Sequence, residues 1–110
     1  MIRLQTTGRH YDLDDKILTY VDKKIGGLDK YLPKNSRDGV AGEVVLEFDE
    51  SHTHDRRCIC EVHFEVKGET MQAKEATLNM YAAIDICEQK LKHQIFTYKS
   101  KLTLIGKDLM

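Results

Sequence analysis

The sequence predicts a single α+β domain spanning residues 1–110, in which two helices cover one face of a four-stranded mixed sheet. Two segments carry apolar residues at steps of three and four, which is typical of a helix with one buried face. Four shorter segments alternate between apolar and polar residues, which is typical of strands. The segments follow one another in the order β-α-β-β-β-α, and a two-layer sandwich is the simplest arrangement that buries their apolar faces together.

The first two elements are a strand and a helix. Residues 2–6 alternate in polarity and predict the strand, and residues 7–11 predict a loop. Asp12 or Asp14 can cap the helix that follows. Its apolar stripe consists of Leu13, Ile17, Tyr20, Val21, Ile25, Leu28 and Leu32. The pair Gly26-Gly27 interrupts this helix at about 1 kcal/mol per glycine relative to alanine, which predicts a weakened third turn or a close approach to the sheet.

Three further strands are predicted at residues 43–49, 57–67 and 70–74. They form a meander, and a right-handed crossover lets the first of them pair in parallel with the N-terminal strand. Alternate side chains of residues 57–67 face opposite sides of the sheet. The inward set is Cys58, Cys60, Val62, Phe64 and Val66, and the outward set is Ile59, Glu61, His63, Glu65 and Lys67. The outer face is therefore predicted to be exposed to water and mixed in charge.

The last helix is predicted at residues 79–102, where no glycine or proline interrupts the apolar period. Its buried stripe consists of Met80, Ile84, Cys87, Leu91, Ile95, Tyr98 and Leu102. Residues 89–110 carry five lysines and one acid, whereas residues 1–88 carry 12 lysines and arginines and 17 acids. The formal net charge of −1 thus combines a basic C-terminal segment with an acidic remainder, and this asymmetry is the strongest functional indication in the composition.

Cysteine and histidine residues invite a zinc site, but their spacing argues against one. Zinc binds thiolates and imidazoles, and a short stretch of the chain supplies His52, His54, Cys58 and Cys60. Both cysteines belong to the apolar side of a strand, where free cysteine commonly packs as a small hydrophobic residue. A nucleophile pair of Cys60 and His63 fails because these side chains face opposite sides of the strand. We therefore expect no metal, no cofactor and no enzymatic activity.

The remaining global features are those of a cytoplasmic protein. No apolar run approaches the roughly 20 residues that cross a bilayer, and the N-terminus lacks the long apolar core of a signal peptide. The cysteine count of three is odd, which favours a reducing compartment over a disulfide framework. The sequence has no glycine-rich phosphate-binding loop. We expect neither a membrane nor a small-molecule substrate as a partner.

Lysines follow both flanks of the apolar stripe in the last helix. One flank carries Lys90 and Lys101, and the other carries Lys92 and Lys99. A helix with lysines on both flanks can lie between backbone phosphates and release counterions, and His93 adds a donor that can become charged beside a phosphate. The alternative is a helix end that favours cations through its dipole. Spacing alone does not separate these two interpretations.

The last helix also resembles a family signature. Residues 79–85 (NMYAAID), followed by Lys90-Leu91 and Gln94-Ile95, are similar to the signature of the ribosome hibernation-promoting factor and ribosome-associated inhibitor A family, also called sigma-54 modulation proteins. Further matching positions are Ile2, Leu4, Thr7, Gly8, Val21, Lys24, Leu28 and Tyr31. The resemblance covers nearly the whole chain and agrees with the order of elements given above.

The resemblance implies a ribosome hibernation factor. Members of this family bind the small ribosomal subunit in the channel that messenger RNA and transfer RNA use, and they inhibit translation under stress or in stationary phase. The implied partners are the small subunit and its ribosomal RNA, and some short members cooperate with a separate ribosome modulation factor. The chain ends at Met110 and resembles those short members, which lack the C-terminal dimerisation domain of the long ones.

The resemblance also implies which residues act. The implied phosphate contacts are Lys90, Lys92, Lys99 and Lys101 in the last helix, Lys23 and Lys24 in the first helix, and Arg9 in the loop before it. The signature residues that pack and position the helix are Met80, Tyr81 and Ile84. His93 stands where the family usually has arginine, and Thr97 stands where lysine is common. Both departures reduce the permanent positive charge, although His93 remains a candidate RNA contact.

Two other functions fit the residues. The exposed sheet face can serve a protein-interaction or regulatory module, which would capture its partner without RNA. A general structured-RNA-binding protein is the other alternative, because double-stranded RNA domains also place helices on a sheet and recognise RNA by its shape. Binding to small subunits at low salt, compared with binding to an isolated RNA duplex, separates these alternatives from a hibernation factor.

Overall fold

The structure is a computed structural model that describes residues 1–109, with side chains for residues 1–102. The strands are Arg3–Arg9 (β1), Ala41–Phe48 (β2), Cys58–Val66 (β3) and Glu69–Thr77 (β4), and the α-helices are Asp15–Lys24 (α1) and Met80–Leu109 (α2). This is the predicted order of elements. The predicted start of the loop at residue 7 is wrong, because β1 continues to Arg9. Lys107 and Asp108, which enter the charge asymmetry, lie outside the described side chains.

The four strands lie in the order β1-β2-β3-β4, with β1 parallel to β2 and the other two pairs antiparallel. The predicted meander and parallel pairing are confirmed. Lys67 and Gly68 connect β3 to β4, with positive φ angles of 51° and 83°. Two consecutive left-handed residues form a hairpin turn whose twist matches that of the strands, and Gly68 adopts this conformation without a steric penalty.

Both helices cover the same face of the sheet and share one hydrophobic core with it. Helix α1 begins after Asp14, whose carboxylate accepts a hydrogen bond from the Ile17 amide at 2.8 Å, so the predicted cap is present. The stripe of α2 is buried from Met80 to Tyr98, but Leu102 is 40% exposed. The apolar face of α2 therefore stops contributing to the core one turn earlier than predicted.

The first helix is shorter than its apolar stripe suggested. Helix α1 ends at Lys24, and Gly26–Tyr31 forms a 3-10 helix. The Ile2 amide donates a hydrogen bond to the Gly26 carbonyl at 2.9 Å. A Cβ atom on Gly26 would lie 3.0 Å from the Met1 side chain. Both expectations for this glycine pair hold, because the helical turn changes type and the backbone approaches the entry to β1.

One prediction for the outer face of the sheet is wrong. Glu61, His63, Glu65 and Lys67 are exposed as expected. Ile59, by contrast, exposes only 5% of its surface. It lies at the start of β3, three residues after the 3-10 helix His54–Arg56, which contacts β4. An Ile59→Asp substitution would therefore perturb the fold rather than probe an exposed surface.

Helix α2 also supplies hydrogen-bond partners to part of the free edge of β4. The Gln94 side-chain amide accepts a hydrogen bond from the Gln72 N–H at 3.0 Å and donates one to the Gln72 carbonyl at 2.7 Å. This pair reproduces the bonding that a neighbouring strand would provide. Further along the edge, Lys90 Nζ donates to the Lys74 carbonyl at 3.2 Å. The helix is thus attached to β4 by polar contacts as well as by the core.

Replacing Gly42 with alanine should destabilise the sheet. A Cβ atom at this position would lie 2.7 Å from the Phe64 Cβ atom, so strands β2 and β3 would have to shift. We expect the free energy of unfolding, measured in denaturant, to fall by about 1–3 kcal/mol. The control is Gly27→Ala. Apart from its neighbours in sequence, no described residue has an atom within 4 Å of the position that a Cβ atom on Gly27 would take. Similar losses in both variants would contradict the close packing at Gly42.

Candidate nucleic-acid interface

The two flanks of α2 face different neighbours. The helix-facing flank lies beside α1 and the 3-10 helix Gly26–Tyr31. It consists of Tyr81, Asp85, Glu88, Lys92, Phe96 and Lys99. The edge-facing flank lies beside β4 and consists of Lys90, His93, Gln94, Thr97 and Lys101. The predicted lysines of α2 are therefore divided between two surfaces.

A polar and aromatic cluster joins α1 to the start of the helix-facing flank. Tyr20 donates a hydrogen bond to the Asp85 carboxylate at 2.5 Å, and the Tyr81 ring packs edge-on against the Tyr20 ring at a centroid distance of 4.9 Å. Lys24 Nζ lies 3.8 Å from Asp85 and 3.9 Å from Glu88. The pKa of Tyr20 is raised to about 12. The hydrogen bond to Asp85 is the main cause of this rise, and burial is the second. This cluster fixes the helix pair and partly compensates the charge of Lys24.

Further along the same flank, lysines surround an aromatic pair. Tyr31 and Phe96 meet edge-to-face, with ring centroids 5.7 Å apart. Lys92 Nζ lies 4.7 Å from the Tyr31 centroid and 6.0 Å from the Phe96 centroid. Lys30 Nζ lies 5.2 Å from Tyr31, and Lys99 Nζ lies 5.6 Å from Phe96. These are cation–π distances, and the five residues are named the aromatic–lysine cluster.

The edge-facing flank is partly occupied by β4. Lys90 Nζ lies 2.9 Å from the Glu75 carboxylate, and this contact lowers the pKa of Glu75. Lys90 is thus held by an acid and by a strand carbonyl. His93 and Lys101 are exposed and line a shallow groove together with the start of β4. Of the lysines on this flank, Lys101 is the one with no ion-pair partner among the described side chains.

The other predicted residues fall in different places. Arg9 ends β1 and is exposed on the outer face of the sheet, not in a loop, so the structure does not place it with the helix lysines. Lys23 is exposed near the end of α1. Met80 and Ile84 are buried in the core, whereas Tyr81 is half-buried. The structure therefore brings Lys24, Lys92 and Lys99 to one side of the helix pair.

The aromatic–lysine cluster was not predicted from the sequence. A local signal was present, because Lys92 and Lys99 lie four residues before and three residues after Phe96, and such residues share a helix face. The sequence contained no such indication of the contact with Tyr31, because this contact depends on how the 3-10 helix Gly26–Tyr31 packs against α2. The hydrogen bond between Tyr20 and Asp85 was missed for the same reason.

The cysteines and histidines do not form a common site. All three cysteines are buried and free, whereas His52 and His54 are exposed in the β2–β3 connection. A hydrogen bond with Cys87 and burial hold the pKa of the Cys60 thiol above its ordinary value. Among the described side chains, no group of three or more His, Cys, Asp or Glu residues is arranged to hold a metal ion. Within the same part of the chain, no helix is both long and apolar enough to cross a membrane.

The contact between Tyr20 and Asp85 predicts a change in stability at alkaline pH. The pKa of Tyr20 rises from 10.0 to about 12 on folding. The protonated Tyr20 hydroxyl therefore stabilises the folded state fully below pH 10, and this stabilisation is lost as the pH rises towards 12. We expect Tyr20→Phe to lower the free energy of unfolding by about 1 kcal/mol at neutral pH. This difference from the parent protein should shrink above pH 10 in urea titrations.

The control is Tyr31→Phe, because the Tyr31 hydroxyl makes no hydrogen bond among the described residues. At neutral pH its free energy of unfolding should stay within about 0.5 kcal/mol of that of the parent protein. If Tyr31→Phe and Tyr20→Phe lower the free energy of unfolding equally at neutral pH, the role assigned to the Tyr20–Asp85 hydrogen bond is wrong.

Solved structures share this fold. The N-terminal domain of Protein Y from Thermus thermophilus superposes with a TM-score of 0.74 at 26% identity, covering 89% of this chain and 99% of that chain. A ribosomal subunit interface protein from Coxiella burnetii superposes with a TM-score of 0.71 at 22% identity, covering 90% of this chain and 99% of that chain. The predicted α+β sandwich is confirmed by both.

Curated relatives and a family model match the sequence. A ribosome hibernation promotion factor from Lactococcus lactis subsp. cremoris is 35% identical over 102 residues, which cover 93% of this chain and 52% of that relative. One from Staphylococcus aureus is 31% identical over 108 residues, which cover 98% of this chain and 54% of that relative. The chain thus spans about half the length of these relatives. Residues 4–103 match the model described as Sigma 54 modulation protein / S30EA ribosomal protein, and the chain belongs to this family.

Proposed function

We propose that this protein binds the small ribosomal subunit in the channel that messenger RNA and transfer RNA use, and inhibits translation during stress or in stationary phase. Family membership supports this proposal, and the two curated relatives are named ribosome hibernation promotion factors. Family membership also supports a function that is not enzymatic. A factor of this kind acts by occupying a site on ribosomal RNA, needs no cofactor and works in the cytoplasm, where ribosomes are.

The observation that carries the proposal is the row of lysines along the helix pair. The ammonium groups of Lys16, Lys24, Lys30, Lys92 and Lys99 all lie within 6.0 Å of an aromatic ring on this side of the molecule. Cations in a row can contact successive phosphates of a nucleic-acid backbone, and most contacts that position a protein on nucleic acid go to phosphates. A ring neighbour leaves a lysine charged and directs it without neutralising it.

The implied RNA contacts differ in how available they are. Lys92, with Lys30 beside it, is the strongest candidate, because neither has an ion-pair partner among the described side chains. Lys99 lies against the neighbouring Phe96 ring. Lys23 extends the row at the end of α1, and Lys24 shares its charge with the two acids. A second and weaker group lies on the edge-facing flank.

On that flank, Lys101 and His93 are exposed, whereas Lys90 is held by Glu75 and contributes least to the proposed contact. Arg9 lies on the opposite face of the molecule and can touch RNA only if the RNA also reaches the outer face of the sheet.

Sucrose-gradient sedimentation with purified small subunits and with whole ribosomes tests the function. With about four to six phosphate contacts, the association constant should fall roughly 100- to 1,000-fold between about 50 mM and 200 mM salt. Salt-sensitive migration with both particles, together with weak binding to an isolated RNA duplex, is the expected result. If the protein stays at the top of the gradient at both salt concentrations, the proposal is wrong.

A charge-reversal pair tests the interface. Lys92→Glu combined with Lys99→Glu should weaken binding to small subunits by at least about tenfold, because it replaces two phosphate contacts with repulsion. The free energy of unfolding should change by no more than about 0.5 kcal/mol per substitution, because both side chains flank the core without entering it.

The matched control carries the same change in net charge on the sheet side of the molecule. Lys67 lies in the β3–β4 turn and Lys74 on β4, and both side chains are exposed. Lys67→Glu combined with Lys74→Glu should leave binding close to that of the parent protein. Equal losses in the two double variants would show that net charge, rather than the helix pair, determines binding.

A further inference from the structure

We propose that Tyr31 and Phe96 form a stacking site for an unpaired base of the bound RNA, with the lysines of the aromatic–lysine cluster holding the adjacent phosphates. This inference rests on the proposed function. It adds a contact with a nucleobase to the phosphate contacts described above, and it assigns that contact to residues outside the signature of α2.

The exposure of Phe96 is the first argument. Helix α2 buries its apolar stripe against the sheet, yet Phe96 is 43% exposed. Among residues 1–102, it is the most exposed aromatic residue. Tyr31 contacts the ring edge-to-face, with an angle of 77° between the two planes. The ring is therefore supported on one side and accessible to solvent on another, which is the arrangement that a stacking partner needs.

The surrounding charge identifies the partner. Three ammonium groups lie within 6.0 Å of the two rings. Two of these groups, Lys30 and Lys92, have no ion-pair partner among the described side chains. An apolar protein surface that covered Phe96 would have to desolvate these two lysines without neutralising them, which is unfavourable. A nucleotide offers a flat π-face and an anionic phosphate a few ångströms apart, so it can cover the ring and pair with the lysines at once. Aromatic side chains within a basic groove are the usual means of binding unpaired bases.

The test compares three variants for affinity to purified small subunits. Phe96→Leu keeps an apolar side chain and removes the π-face, so the affinity should fall about 5- to 150-fold, the range expected for loss of one stacked base. Phe96→Trp keeps a π-face and should bind at least as tightly as the parent protein. The control is Leu78→Ala, which removes an exposed apolar side chain that precedes α2 and belongs to neither flank, and it should have no effect.

The salt dependence separates stacking from charge. Stacking releases no counterions, so Phe96→Leu should shift the plot of log affinity against log salt without changing its slope. Lys92→Gln should lower that slope by about one. Phe96→Trp also guards against a folding defect, because a loss of affinity caused by perturbed packing would appear with the larger ring as well.

Several results would overturn the inference. Phe96→Leu with the affinity of the parent protein, Phe96→Trp as weak as Phe96→Leu, or a reduced salt slope in Phe96→Leu would each show that no base stacks on the ring while the proposed function stands. A parent protein that fails to bind small subunits at low salt would overturn the proposed function and this inference together.

Discussion

The burial of one face of α2 against β3 and β4 is the constraint on which the rest of the structure depends. The stripe from Met80 to Tyr98 is almost completely buried. Once this face is fixed, the position of every other side chain on α2 follows from the helical period of about 100° per residue. Lys92, Phe96 and Lys99 must then face the first helix and its 3-10 extension, and Gln94 must face β4. A one-dimensional pattern of charges thereby becomes two surfaces with different chemistry.

These two surfaces differ in what neutralises their charges. On the edge-facing flank, Lys90 is paired with Glu75 and a strand carbonyl, so much of its charge stabilises the attachment of α2 to the sheet. On the helix-facing flank, Lys30 and Lys92 have no ion-pair partner among the described side chains, and both lie against the ring of Tyr31. A lysine held by a ring keeps its full charge for a ligand, whereas a lysine held by a carboxylate must first be released from it.

Local pattern predicted the fold well, and it predicted the site only in part. The element order, the cap at Asp14 and the buried stripe of α2 depend on residues close together in sequence, so periodicity and turn chemistry were sufficient to find them. The burial of Ile59 and the pairing of Lys90 with Glu75 depend on segments that meet only in the folded chain. The same holds for the contact between Tyr31 and Phe96. The number of lysines can therefore indicate that a helix is basic, but it cannot indicate which lysines already form ion pairs within the protein.

The amide of Gln94 has a consequence for how the protein behaves in a crowded cell. An edge strand with free N–H and C=O groups is a template onto which another chain can add, and this is a common origin of aggregation. Gln94 occupies both backbone groups of Gln72 with a side chain from within the same molecule. At that position the strand cannot recruit a second copy without first displacing α2 from the sheet. The helix that carries the proposed RNA contacts thus also opposes polymerisation through β4, so mutations that loosen it would threaten solubility as well as binding.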